Sequence, residues 1–228
     1  MDFTNKNLGV LFEFGETKFY ITQSLLATWV VMAILIIFAI IVRIKLRKFK
    51  EIPTGFQNLV ECIVETMDKF TINTMGPEYR HFGGFFFGMF AFIICANYSG
   101  LVGLRPPTAD VATTGALAIT IFIVTHVTGI KRRKLGYVKS FFEPNPIFLP
   151  INLIGEVSNV LSLCFRLFGN MLGGVIILGL AYQMFPAVLK FVVPSALHAY
   201  FDLFAGALQA YIFTVLSMTF IMQKGSKN

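Results

Sequence analysis

Apolar residues run through this chain in blocks long enough to cross a bilayer, and the breaks between them set the order of the elements. The first block, Ser24–Val42, predicts one span and ends in the basic run RIKLRKFKE. From 52 to 70 the pattern changes. Ile52, Phe56, Leu59, Val60, Ile63, Val64, Met67 and Phe70 recur at helical spacing, with Glu51, Gln57, Asn58, Glu61, Glu65 and Asp68 between them. That is an amphipathic helix lying on a membrane surface or against a partner. The run NTMGPEYRH makes a turn, and Phe82–Leu104 predicts a second span. Paired prolines in RPPTAD stop helix there. Ala112–Ile130 predicts a third span, closed by KRRK, and EPNPIFLP then breaks the chain again. The 40 residues from Pro146 to Phe185 exceed one vertical span and are short for two with a loop, which predicts a long tilted helix. Pro194–Met222 predicts the last helix, and the two long helices form a hairpin. The expected fold is all-α: a single integral membrane domain over 1–228, polytopic, with five membrane-inserted helices and one helix on the cytoplasmic surface.

Composition agrees. Of 228 residues, 56% are hydrophobic and 26 are Phe, with mean hydropathy +0.72. The net charge of +7 would suit a nucleic-acid partner, but its placement argues against one. The basic residues cluster in short loops beside the spans, the positive-inside signature. RIKLRKFKE sets five basic residues against one acid, and residues 1–20 carry a net charge of −1. The N-terminus is therefore expected outside and the C-terminus in the cytoplasm, with the lone Trp29 at the outer interface. No cleavable signal pattern precedes the first apolar run. Cys62, Cys95 and Cys164 make no framework; the latter two sit in apolar runs as small hydrophobes.

The candidate chemistry lies in the long stretch. Arg166 sits in an otherwise greasy helix, where a charge is expensive and marks a functional site by default. At 100° per residue, Gly155, Glu156, Asn159, Ser162, Asn170, Gly173 and Gly174 fall within about 80° of its direction. This stripe of polar and small residues covers about 29 Å, close to the hydrocarbon thickness. The last helix carries a second stripe: Asp202 and Gln209 share a face, with His198 one turn before Asp202. A hairpin would bring both stripes into one membrane layer. Two readings stand side by side: an ion path, or a buried bridge from Arg166 to Glu156 or Asp202. His126 is read as a hydrogen bond within the bundle. No phosphate loop, dinucleotide fingerprint, zinc motif or paired CxxC is present, so no catalytic site of its own and no cofactor or metal is expected.

The run SLCFRLFGNMLGG (Ser162–Gly174) resembles the signature of the a subunit of F-type ATP synthases. PTGFQNLVE (Pro53–Glu61), SGLVGLRPPTAD (Ser99–Asp110), INLIGEVS (Ile151–Ser158) and LQAYIFTVL (Leu208–Leu216) match in order. The resemblance implies a stator in a bacterial plasma membrane, partnered by a c-subunit ring, a b-subunit peripheral stalk, the other synthase subunits and membrane lipid. It implies two offset half-channels through which H⁺ or Na⁺ reaches the ring. Arg166 matches the family's arginine, which faces each passing ring carboxylate and blocks direct leak. Glu156 and Asn170 match polar positions near it, Asp202 an acidic or histidine channel position, and Gln209 a polar position facing the arginine. Some bacterial members have Glu at Val175 paired with His at Asp202; this chain has the other pattern. Asn159 and His198 join the candidate ion path through their place on the stripes. The alternatives are a stand-alone cation channel or secondary transporter, for which no repeat is evident, and a structural scaffold.

Overall fold

The structure is a computed structural model, and it describes residues 7–14, 17–46, 55–142, 145–186 and 189–226. The membrane body is all-α. Among the described residues, five helices are long and apolar enough to cross a membrane: Gln23–Lys45, Pro77–Val102, Val111–Arg133, Pro146–Met184 and Val192–Gly225. The chain is thus a multi-pass membrane protein.

An N-terminal hairpin precedes them, in a stretch for which the hydrophobic pattern predicted no element. Strands β1 (Asn7–Phe14) and β2 (Thr17–Thr22) pair antiparallel, with Val10 opposite Tyr20 and Phe14 opposite Thr17. Val, Phe, Tyr, Ile and Thr are the residues that suit a pleated surface. The run is too short for helical periodicity to show.

Helix α1 (Gln23–Leu46) follows directly. Most of its surface is open, Ile34, Ile36, Ile37 and Ile40 included, as suits a helix facing lipid. Most of the basic run after it lies outside the described residues, as does the start of the expected surface helix. Within them α2 covers Phe56–Met75. It turns Val60, Met67, Thr71 and Met75 inward and leaves Leu59, Ile63 and Val64 exposed. A 3-10 turn, Pro77–Phe82, leads into α3 (Gly83–Tyr98). Asp110 caps α4 (Val111–Arg133) by accepting a hydrogen bond from the Ala112 amide at 3.0 Å. The short α5 (Leu135–Ser140) precedes α6 (Leu149–Met184). At 36 residues α6 runs for about 54 Å, well past the hydrocarbon thickness.

The last helix differs from the expected continuous one. It begins earlier, as α7 (Leu189–His198), with Pro194 inside it. A π-helical stretch, Ala199–Ala205, follows, and α8 (Gly206–Gly225) completes it. Proline removes a backbone donor and pushes on the preceding turn. Wider π turns recur at functional sites, and this one carries Asp202.

The core joins α3, α4, α6 and α8 through Phe86, Ile93, Ile121, Leu167, Phe213 and Met218, all 0–1% exposed. α4 is the hub, because Thr114, Ala118, Thr125, Thr128 and Gly129 give it a small-residue face. Buried hydroxyls return to their own helices: Thr128 to Val124 O at 2.7 Å, Thr214 to Ala210 O at 2.8 Å and Ser217 to Phe213 O at 2.7 Å. That satisfies them where no water is at hand. α5 folds back so that Tyr137 lies in a notch at Gly129, where a Cβ would meet its ring at 2.5 Å. Burial, and then the charge of Glu156, push the Tyr137 hydroxyl up to about 12 against the pull of Arg133, so it stays protonated.

Candidate functional site: an outward arginine between two polar clusters

The inward face of α6 is set by Leu163, Cys164, Leu167, Met171, Gly174 and Leu178, spaced three and four apart. The stripe with Arg166 therefore points the other way. Asn159, Ser162, Arg166, Gly169 and Asn170 are all exposed. Arg166 touches Ser162, with Nη2 3.5 Å from Oγ, and forms no ion pair among the described residues.

The two acids that were its candidate partners are engaged elsewhere. Glu156 pairs with Lys224 near the C-terminal end of α8. Asp202, 5% exposed, accepts from His198 Nδ1 at 2.5 Å. The buried-bridge geometry is therefore absent, and the reason is register. α6 and the last helix run antiparallel. Glu156, Asn170 and Tyr182 stand 14 and 12 residues apart, and their partners Lys224, Gln209 and His198 stand 15 and 11 apart. On that register Arg166 is level with Thr214, far along the helix from Asp202.

The seven candidate residues do not form one layer, as two facing stripes predicted. They occupy three levels. At the middle, Asn170 Nδ2 donates to Gln209 Oε1 at 2.7 Å, one turn from Arg166. Gln209 is buried, and its own Nε2 has no hydrogen-bond partner among the described residues. A buried amide N–H left free is costly and marks a place where structure yields to function.

At one end, Glu156, Asn159, Thr125, His126, Gln223 and Lys224 line a cavity of about 100 Å³ between α4, α6 and α8, large enough for water. His126 Nδ1 lies 2.9 Å from Phe122 O. The expected intrabundle hydrogen bond is there, and the ring also faces this cavity.

At the other end, the Asp202–His198 pair extends to Tyr182, whose hydroxyl is 3.1 Å from His198 Nε2. Gly100 lets α3's C-terminal turn approach closely, since a Cβ there would sit 3.0 Å from Asp202 Oδ2. Behind it, Asn97 donates to Gly206 O at 2.8 Å and accepts from Thr108 at 2.6 Å. Along α6, Arg166 stands about 15 Å from the Glu156 level and about 24 Å from the Tyr182 level. One fixed cation thus separates two polar clusters across the membrane thickness.

Sequence reasoning missed Lys224, Tyr182, Asn97 and the cavity role of His126. Lys224 reads as an interface anchor until the register is known. Asn97 and Tyr182 sit at helix ends, where one polar residue carries little signal.

The Glu156–Lys224 pair carries a prediction. Both side chains are largely screened from solvent, at 12% and 29% exposure. Removing one partner strands the other's charge, whereas removing both does not. Lys224→Gln is expected to lower the thermal stability of the assembled protein by about 1–3 kcal/mol, within the usual coupling range. The Glu156→Gln/Lys224→Gln double variant should recover most of it. Additive losses in a melting series would show the two groups to be independent.

Fold and site define a polytopic helical membrane protein whose polar machinery is carried by its two long C-terminal helices. The chain belongs to the ATP synthase A chain family, whose sequence profile matches residues 25–222. It is 36% identical over 199 residues to ATP synthase subunit a 1 of Pelobacter propionicus, covering 85% of this chain and 83% of that one. It is 36% identical over 214 residues to ATP synthase subunit a 2 of Bradyrhizobium sp., covering 93% and 92%. It is 32% identical over 213 residues to ATP synthase subunit a of Moorella thermoacetica, covering 92% and 93%.

Proposed function

We propose that this chain is the ion-translocating stator of an F-type ATP synthase, working in a bacterial plasma membrane with its N-terminus outside and its C-terminus in the cytoplasm. The carrying observation is the placement of Arg166: within a helix long and apolar enough to cross a membrane, on the open face of α6, with no ion pair among the described residues. A charge so placed calls for a carboxylate from another subunit, and the ring of c subunits supplies one per rotation step. The b-subunit stalk holds the stator still against it.

In this reading the guanidinium lowers the pKa of each arriving ring carboxyl, commonly by about 1–3 units for an opposite charge at close range. The carboxyl gives up its ion there and moves on ionised. Arginine suits the task because it stays charged at any working pH. The Asp202–His198–Tyr182 cluster serves the outer half-channel, and the Glu156–Asn159 cavity with Lys224 and His126 serves the inner one. Asn170 and Gln209 hold the polar contact between the two helices beside the arginine. Neither cluster reaches the other past Arg166, so ions cross only by riding the ring. Each charge crossing releases about 2.3 kcal/mol per 100 mV.

Reconstitution tests this reading and identifies the ion. Vesicles holding the whole complex should take up H⁺ or Na⁺ when ATP is added, while vesicles holding this chain alone should not conduct. Na⁺ activation with protection against a carboxyl reagent marks a sodium path. A pH gradient indifferent to Na⁺ marks a proton path. Conduction by the chain alone would overturn the stator reading in favour of a channel.

A further inference from the structure

Two neighbouring cavities at the cytoplasmic end of α4 differ sharply in chemistry and share two residues. The first is an apolar groove of about 480 Å³ between the 3-10 turn Pro77–Phe82 and α4, walled by His81, Phe82, Ile123, Val124 and Val127 and ending at Lys131 and Arg132. Its α4 wall faces outward, with Ile123 54% and Val127 43% exposed. The second is a polar pocket of about 490 Å³ formed by the same Lys131 and Arg132 with Lys134, Glu78, Gly225 and Ser226.

Three cations and one carboxylate leave that pocket with a charge of +2. Arg132 is held in place: its Nη1 donates to Glu78 Oε1 at 3.0 Å and its guanidinium lies 4.0 Å over the Tyr79 ring. Glu78 is therefore neutralised, while Lys131 and Lys134 form no ion pair among the described residues. All three cations stand where the α4 span ends, at the level of lipid headgroups. The leaflet on this side is the one rich in anionic lipid.

We propose that groove and pocket together bind one anionic phospholipid, its acyl chain along Phe82 and the outward face of α4 and its phosphate among Lys131, Arg132 and Lys134. An apolar slot that opens onto a positive pocket through shared lysine and arginine stems complements an amphiphile with a negative head. Long basic side chains bury their stems along apolar surface and keep the charge at the interface. A zwitterionic lipid fits the slot equally well but gains little from the pocket's net charge. The site lies at the cytoplasmic end of α4, beside the 3-10 turn Pro77–Phe82, and does not depend on how Arg166 works.

The test is photolabelling of the whole detergent-purified complex. Phosphatidylglycerol and phosphatidylcholine with identical diazirine-bearing acyl chains are added in turn, and labelled peptides covering residues 120–134 are quantified. Labelling around Ile123 and Val127 should be several-fold stronger with the glycerol headgroup. Lys131→Gln and Lys134→Gln should each lower it about fivefold, the effect of one basic residue near an anionic surface. Lys139→Gln, on the neighbouring α5 but outside the pocket, should not. The headgroup comparison in the unaltered complex stands without any variant. Equal labelling by both lipids overturns the proposal, since the groove then holds ordinary boundary lipid. Absence of labelling by either overturns it too, since another subunit then covers the groove. Loss of the headgroup preference in excess inorganic phosphate shows a site for free anions and also overturns it.

Discussion

Replacing Arg166 with alanine is expected to abolish ion-coupled ATP synthesis while leaving the complex assembled. The first half follows from the charge. A ring carboxyl whose pKa is no longer lowered by about 1–3 units holds its ion about 10- to 1,000-fold more tightly, at 1.36 kcal/mol per unit. Without the cation, nothing separates the Asp202 and Glu156 clusters either, so passive leak should rise. The second half follows from the geometry. Arg166 is exposed, and among the described residues it hydrogen-bonds only Ser162 and forms no ion pair, so its loss strands no buried acid. Arg166→Lys should not restore synthesis, because a compact ammonium lacks the planar fork that engages a carboxylate. Synthesis and leak are measured on the same vesicles. Synthesis at the normal rate in the alanine variant would refute the role, and unaltered loss with poor assembly would assign Arg166 to folding.

Asp202→Asn should slow ion loading without harming assembly. Asparagine keeps the shape of the buried side chain and can still accept from His198 Nδ1, but it carries no charge. Coupled turnover at limiting ion concentration should fall on the order of 100-fold, the lower end of what a positioned proton-transfer group contributes. At high ion concentration the loss should shrink, because loading is then no longer limiting. The Gly100 contact supplies a steric companion: Gly100→Val, whose side chain would press on Asp202, should show the same concentration-dependent defect. A normal rate at every ion concentration would remove Asp202 from the path.

Much of the fold is legible in the chain because a bilayer demands long apolar runs and fully bonded backbone. The runs around Trp29, Phe86, Ile121, Leu167 and Phe213 each announce a helix. Arg166 is equally legible, since nothing in a greasy segment explains an arginine except use. The facing of its stripe is not. In water a polar stripe points away from the core; in a membrane it points at whatever will pair with it, and small residues such as Gly173 and Gly174 do not say which neighbour that is. The inward contacts come instead from Leu163, Leu167 and Met171, which look like their exposed neighbours Leu161 and Phe165. Pairings such as Glu156 with Lys224 depend on the register of helices that lie nearly 70 residues apart in sequence at that point. No local pattern encodes that register. The π stretch over Ala199–Ala205 is equally hidden: AYFDLFA is unremarkable as helix, and nothing in it marks the wider turn that carries the buried Asp202.

On the proposed function, the open face of α6 beside Arg166 meets a moving carboxylate of another subunit. Cysteine cross-linking within the assembled complex tests it most directly. Gly169→Cys lies on the exposed face one turn from the arginine, and Leu167→Cys lies on the buried face toward α4. Each is paired with a cysteine introduced beside the carboxylate of the c subunit. Oxidation should link Gly169→Cys to the ring and stop rotation, and Leu167→Cys should stay unlinked. Linkage from Leu167→Cys with none from Gly169→Cys would mean that α6 presents its other face to the ring, and the account of Arg166 would not stand.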